Sequence, residues 1–102
     1  MAKMFVLYNL APHVTDEQYR EYVTKEKGPL METFSQIKKF ELTVTAGNAF
    51  GKSPYKYIGI MHLRSLEEYL KKDVPSAKFQ EFYKKWKSMV TDVQFWSAEE
   101  IY

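Results

Sequence analysis

The stretch Lys56-Tyr-Ile-Gly-Ile-Met-His-Leu63 decides the fold, because it is apolar at consecutive rather than alternate positions. In a β-strand, successive side chains point to opposite faces of the sheet. Tyr57 and Gly59 therefore share one face, and Ile58 and Ile60 share the other. A strand with two apolar faces is typical of a sheet that is covered on both sides.

The first strand, predicted over residues 4–10, repeats this two-sided pattern. Val6 and Tyr8 fall on one face, while Phe5 and Leu7 fall on the other. A single layer of helices covers only one face of a sheet, so the second apolar face predicts an interface. The simplest cover is a second copy of the chain, related by a two-fold axis.

Two helical regions separate the strands. Thr15 and Gln18 form the signature of a capping box, and Gly28-Pro29 is expected to end the helix that they begin. Ser65 starts the second region, and Pro75 interrupts it. Two sets of apolar residues recur at helical spacing and predict buried faces: Tyr19, Tyr22 and Val23 in the first region, and Phe79, Phe82, Tyr83, Trp86 and Met89 in the second.

The remaining strands are predicted over residues 40–44 and 93–96, with a loop over residues 46–54. The order strand-helix-strand-strand-helix-strand is that of the ferredoxin-like fold. We therefore expect an α+β protein with a four-stranded antiparallel sheet, formed by one domain over residues 1–102 and paired into a dimeric α/β barrel.

Composition excludes several classes of protein. The 102 residues contain no cysteine, so disulfides and thiolate metal sites are ruled out. The sequence shows no signal peptide and no apolar run long enough to span a membrane, so we expect a cytoplasmic protein. The formal charge of +2 does not indicate nucleic-acid binding.

RNA recognition is the remote alternative for this fold. RNA-recognition motifs stack bases on aromatic side chains of the first and third strands. Here Val6, Ile58 and Ile60 occupy those stacking positions, and aliphatic side chains offer bases little stacking energy. We therefore predict no nucleic-acid partner.

Several segments resemble the REDY/HapK-like family of the dimeric α/β-barrel superfamily, whose members occur with prodigiosin-type pigment pathways. The resemblance is carried by Val6-Leu-Tyr-Asn-Leu-Ala-Pro12, Tyr19, Pro29, Phe40 and Pro54-Tyr-Lys-Tyr-Ile58. It covers most of the chain and is strongest in the first quarter.

The chain departs from the family pattern at three positions. His13 replaces a turn glycine, and Gly59 and His62 replace acidic residues. Aldol-type cyclases of the superfamily use two histidines, but the positions that match here hold Met4 and either Ala77 or Lys78. Their mechanism therefore does not carry over.

The resemblance implies a homodimer with a ligand cavity between each sheet and its own helices. It also implies a small, often aromatic, secondary-metabolite-like substrate and a cofactor-independent cyclase, isomerase, dehydratase or oxygenase. A non-catalytic binding protein with the same cavity is the alternative, since the sequence shows no standard catalytic constellation. The sequence leaves these two open.

Five residues on the helix-facing side form the candidate ligand site. Tyr8 and Tyr57 are phenols on neighbouring central strands, where they would orient a polar ligand group and act as general acid or base. Gly59 leaves space beside them, and Tyr22 and Trp86 are expected opposite. The alternative is that these aromatics are simply core.

The opposite face predicts the seam of the dimer. Its residues are Phe5, Leu7, Ile58, Ile60 and His62. We expect His62 near Asn9, as a structural residue of the interface, and His13 at the surface. Glu41 and Asp73 lack an evident partner. Two histidines without a matched carboxylate predict no metal site, and the absence of a glycine-rich phosphate loop predicts no nucleotide cofactor.

Overall fold

The computed structural model describes residues 2–45 and 53–102. Four strands form one antiparallel sheet in the order β2-β3-β1-β4, which confirms the predicted α+β fold with its four-stranded antiparallel sheet. The strands are β1 (Ala2–Leu10), β2 (Ile37–Val44), β3 (Tyr57–Leu63) and β4 (Val90–Glu99). β4 is longer than predicted, and residues 46–52 of the predicted loop lie outside the described residues.

The register of the sheet fixes which residues share a face. Tyr8 pairs with Tyr57 and Val6 pairs with Gly59, and these four residues are buried on the helix side. On the outer face, Leu7 pairs with Ile58 and Phe5 with Ile60, and these side chains are partly exposed. The predicted division of the central strands into two apolar faces is therefore confirmed.

The first helical arm runs without a break past the predicted stop. It consists of α1 (Asp16–Tyr22), a π-helical turn (Val23–Lys27) and α2 (Gly28–Met31). Its start is as predicted, since Thr15 and Gln18 make both hydrogen bonds of the capping box.

The expectation that Gly28-Pro29 ends this helix is wrong. The Gly28 N–H donates to the carbonyl of Val23, which closes the wider turn. A Cβ at Gly28 would lie 2.9 Å from that carbonyl oxygen, so the turn requires glycine. Pro29 stands in the first turn of α2, where a missing N–H costs little.

The second arm consists of α3 (Leu66–Glu68), a π-helical turn (Tyr69–Asp73) and α4 (Ala77–Lys87). Ser65 Oγ caps α3 by accepting from the Glu68 N–H. Asp73 has partners after all: its carboxylate accepts from Ser35 Oγ at 2.8 Å and from the Gln36 N–H at 2.9 Å. These bonds tie the second arm to the start of β2.

The core lies between the helix-facing side of the sheet and the two arms. The largest fully buried side chains are Tyr8, Tyr19, Met31 and Leu63. Within residues 2–45 and 53–102, no helix is long and apolar enough to cross a membrane.

Candidate functional site

A lysine lies inside this aromatic core. Lys27 is only 5 % exposed, and its Nζ lies 3.4 Å from the phenol oxygen of Tyr8 and 3.4 Å from that of Tyr19. Lys27 makes no ion pair with any residue of the described ranges. Burial without a counter-ion disfavours the charged form and lowers the pKa of Lys27 to about 7.

The two phenols belong to a short polar chain that ends at the amine. Trp86 Nε1–H donates to the Tyr19 oxygen at 2.9 Å, and the oxygens of Tyr19 and Tyr8 are 2.6 Å apart. Burial raises the pKa of both tyrosines, so both remain protonated at neutral pH. The hydroxyl hydrogens of Tyr8 and Tyr19 therefore lie beside the Lys27 nitrogen.

Aromatic rings surround the amine. Its Nζ lies 4.9 Å from the ring centroid of Trp86, 5.3 Å from that of Phe40 and 5.4 Å from that of Tyr8. Such distances are those of cation–π contacts, worth roughly 0.5–2 kcal/mol each. The rings therefore stabilise positive charge on this nitrogen whenever it forms.

Lys27 also lines a cavity of about 40 Å³ between the sheet and the helices. Lys27 is the only lysine, arginine, histidine or acidic residue in that lining, as far as the structure describes it. The other lining residues are Val6, Met31, Phe40, Gly59, Met61, Tyr69, Phe79, Phe82, Tyr83, Trp86 and Phe95. A largely apolar wall with one amine and two phenols, those of Tyr69 and Tyr83, is suited to a ligand that is largely apolar with few polar groups.

A groove of about 210 Å³ on the surface leads towards the same amine. It runs between the two helical arms, and the Glu26–Lys85 ion pair of 2.8 Å lies along it. Lys27 and Phe82 line both the groove and the cavity, so the two spaces adjoin at these side chains. Phe82 is only partly buried.

The structure brings some of the predicted site residues to the cavity and not others. Gly59 and Trp86 line it, and Tyr8 packs edge-on against Trp86 with ring centroids 5.2 Å apart. Tyr22 lies on the surface groove instead. Tyr57 stacks on Tyr8, with ring centroids 5.7 Å apart, but is not part of the lining.

The Tyr57 hydroxyl is not part of the hydrogen-bonded row of Trp86, Tyr19, Tyr8 and Lys27. It donates instead to Asp16 Oδ1 at 2.6 Å. Lys56 also donates a hydrogen bond to the Asp16 carboxylate. Both hydrogen bonds lower the pKa of Asp16, and the one from Lys56 has the larger effect. Burial and the Asp16 hydrogen bond raise the pKa of Tyr57. The hydroxyl of Tyr8 thus has a buried partner, Tyr19, and that of Tyr57 an exposed one, Asp16. The catalytic roles of both phenols remain predictions.

The histidines lie away from the cavity. His62 is on the outer face and its Nε2 is 2.6 Å from Glu41 Oε1, so Glu41 has a partner, contrary to expectation. This hydrogen bond lowers the pKa of Glu41. His62 pairs in register with Lys3, at the opposite end of β1 from Asn9, so the expected proximity to Asn9 is wrong. His13 is exposed.

Sequence reasoning missed Lys27 and Tyr19 as site residues. Lys27 follows Val23 by four residues, which is helical spacing, but on a regular helix it lies about 80° from the direction of Tyr19. Regular helical spacing therefore gives only a weak signal for Lys27, and its burial follows from the π-helical turn over Val23–Lys27. No group of three or more metal-ligating side chains occurs in the part of the chain that the structure describes.

Comparison with known families decides the relationship. The sequence profile of the family described as REDY-like protein HapK matches residues 2–101. The chain belongs to this family. The search of curated protein sequences found no match.

Solved structures share the fold at low sequence identity. HapK from Hahella chejuensis has a TM-score of 0.82 and 13 % identity over 99 % of this chain and 93 % of its own. A hydroxynitrile lyase from Passiflora edulis has a TM-score of 0.77 and 14 % identity over 99 % and 95 %. A protein of unknown function from Thermobifida fusca, described as dimeric and ferredoxin-like, has a TM-score of 0.75 and 14 % identity over 97 % and 90 %.

Proposed function

We propose that this protein is a cofactor-independent enzyme that acts on a small, largely apolar metabolite in the cavity between its sheet and helices. The observation that carries the proposal is the amine of Lys27, which is buried, has no counter-ion in the described structure and lines a largely apolar cavity. Strongly perturbed ionisable groups in cavities are typical of sites that do chemistry. The hydroxynitrile lyase shares the fold and supports an enzymatic role.

The size of the cavity restricts the ligand. A space of about 40 Å³ holds about three water-sized groups, whereas a cavity that admits benzene is nearer 150 Å³. An aromatic or heteroaromatic substrate, as the sequence led us to expect, therefore requires Phe82 to move and join the cavity to the groove. Gly59 and Trp86 would then contact the ring, with Tyr8 supporting Trp86 from behind.

We further propose that the protein works as a homodimer joined through the outer face of the sheet. That face presents Phe5, Leu7, Ile58 and Ile60, and Trp96 of β4, which is 53 % exposed, lies opposite Phe5. A contiguous apolar surface of this kind usually marks an interface. The Thermobifida fusca protein, which has the same fold, is described as dimeric.

The cavity proposal is tested by following the amide signal of Gly59 and the indole N–H signal of Trp86 by NMR. The probes are pyrrole, indole, phenol and benzaldehyde, added singly without metal or cofactor. We expect at least one probe to shift both signals in a saturable way. Product analysis of the same samples then distinguishes an enzyme, which converts the probe, from a binding protein, which does not.

Two substitutions at Gly59 provide the matched pair of variants. A Cβ at Gly59 would contact Leu42 and Val6 at 3.8 Å or more, so Gly59→Ala is expected to fold and bind normally. Gly59→Leu places a larger side chain in the cavity and is expected to weaken binding at least tenfold. Wild-type affinity in a folded Gly59→Leu protein would mean that the ligand binds elsewhere.

A further inference from the structure

We propose that Lys27 is a nucleophile that forms an imine with an aldehyde or ketone bound in the cavity. This inference rests on the proposed function, because it names the class of substrate for that same cavity. Three features of the structure carry it: the hydrogen bonds around the amine, the rings that face it, and its position between cavity and groove.

Both hydroxyl hydrogens, of Tyr8 and Tyr19, find acceptors only when the amine is neutral. The indole N–H of Trp86 can only donate, and it donates to the Tyr19 oxygen. The Tyr19 hydroxyl can then donate to Tyr8, and the Tyr8 hydroxyl to the lone pair of the Lys27 nitrogen. Each hydroxyl hydrogen then has an acceptor.

An ammonium group at Lys27 disturbs this arrangement. It would donate to the oxygens of Tyr8 and Tyr19, and the hydroxyl hydrogen at one end of the chain would then have no acceptor among the described residues. A buried polar hydrogen without a partner costs about 1–3 kcal/mol. The hydrogen bonds of the two phenols thus favour the unprotonated nitrogen, as does burial, while the surrounding rings act in the opposite sense. The unprotonated nitrogen is the form that attacks a carbonyl group.

The surroundings also suit the steps that follow the attack. The nitrogen lone pair forms a bond to the carbonyl carbon, the carbonyl π pair moves to oxygen, and one of the two amine hydrogens passes as a proton to that oxygen to give a carbinolamine. The hydroxyl group then leaves with the second amine hydrogen as water, and the C=N bond forms. The phenols of Tyr8 and Tyr19 lie where protons can be exchanged with the nitrogen, and the ring of Trp86 faces the cationic protonated imine.

A carbonyl compound has a route to the amine. Lys27 and Phe82 line both the cavity and the groove, so a molecule that enters from the groove past Phe82 reaches the Lys27 side chain. The cavity beyond has room for a short apolar chain. The carbonyl carbon would then lie at the amine, with the rest of the molecule against Gly59 and Met31.

Reductive trapping tests the inference on the wild-type protein. Propanal is added at pH 7 with sodium cyanoborohydride, which reduces an imine to a stable propyl-amine, and the modified lysines are identified by peptide mass mapping. Lys25 is the internal comparison, since it is an exposed lysine on the same helical arm, paired with Glu21 at 2.8 Å. We expect Lys27 to be propylated at least ten times faster than Lys25.

Two variants serve as controls. Lys27→Met replaces the amine with an unbranched apolar side chain one atom shorter and is expected to lose the fast labelling, whereas Lys25→Met is expected to keep it. The Gly59 amide signal, recorded with propanal but without reductant, reports independently whether propanal enters the cavity.

Each outcome has one meaning. Fast labelling of Lys27 with a shift at Gly59 supports the inference. A shift at Gly59 without preferential labelling of Lys27 overturns the imine and leaves the ligand cavity standing. If propanal neither labels Lys27 preferentially nor shifts the Gly59 signal, the imine proposal is overturned. The proposed function is overturned as well only if pyrrole, indole, phenol and benzaldehyde also leave the Gly59 and Trp86 signals unshifted.

Discussion

The two faces of the sheet are both apolar, yet they are used differently. On the helix side, Tyr8 and Tyr57 are buried under aromatic rings, and the space that remains contains a single amine. On the outer side, Ile58 and Ile60 are partly exposed. Apolar character alone therefore does not locate a ligand site; the buried lysine distinguishes the cavity face from the outer face, for which we propose a dimer partner.

The largest expected effect comes from charging the outer face. Ile58→Lys combined with Ile60→Lys would bury two unpaired charges in the proposed dimer seam, at a cost of several kcal/mol. We expect a monomer or an unfolded chain at micromolar concentration by light scattering, and a dimer for the wild type.

The control for this experiment adds the same two positive charges at the exposed, uncharged α4 positions, as Ala77→Lys combined with Gln80→Lys. This variant is expected to remain dimeric. A folded Ile58→Lys, Ile60→Lys protein with the mass of a dimer would place the interface elsewhere.

The helix face makes a prediction about pH. The unfolded chain holds the Lys27 proton up to about pH 10.5, whereas the folded protein releases it near pH 7. Between these values the unfolded state binds more protons, so the free energy of unfolding rises with pH, by up to about 1.4 kcal/mol per unit. Below pH 7 both states are protonated, and the cost of burying the charge is felt in full.

Lys27→Met removes this group and supplies the reference. From pH 7 to pH 9 we expect the wild type to gain about 2–3 kcal/mol of stability relative to Lys27→Met, measured by urea unfolding. The groups that face the amine add no charge in this range: Tyr8 and Tyr19 stay protonated, while Phe40 and Trp86 do not ionise. A constant difference across this range would show that Lys27 titrates alike in both states.

Smaller effects separate the two phenols of the helix face. Tyr8→Phe removes the buried hydroxyl that lies 2.6 Å from the Tyr19 oxygen and 3.4 Å from the Lys27 nitrogen, and is expected to cost about 1–3 kcal/mol of stability. Tyr57→Phe removes one hydrogen bond to the exposed Asp16 and is expected to cost about 1 kcal/mol or less. Equal costs in urea unfolding would contradict the distinction between a buried and a peripheral phenol.

Much of the fold followed from local patterns in the sequence. The two-sided apolar pattern of β1 and β3 predicted the faces of the sheet because strand side chains alternate strictly. The capping box at Thr15 predicted the start of α1, and the apolar residues at helical spacing predicted α4, because both patterns are set by local helix geometry. The predicted helix end at Gly28-Pro29 was wrong, because the helix continues through a π-helical turn and α2 beyond both residues.

That same turn explains why the site was only partly predicted. In a regular helix, at about 100° per residue, Glu26 would lie about 20° from the direction of Tyr19, and Lys27 about 80°. The wider π turn reverses this, so that Lys27 is buried and Glu26 is exposed. Gly59 and Trp86 were placed from strand and helix periodicity, but the burial of Lys27 depends on a local irregularity that periodicity does not report.

The most direct test of this account is an NMR titration of the Lys27 side chain in the wild-type protein, following its ¹³Cε and ¹⁵Nζ signals from pH 5 to pH 11. A buried amine without a counter-ion, held between two phenols, is predicted to titrate with a midpoint near 7. A midpoint near the ordinary value of 10.5 would mean that Lys27 stays charged at neutral pH. This result would contradict the central claim that the cavity offers an unprotonated amine to a ligand at neutral pH.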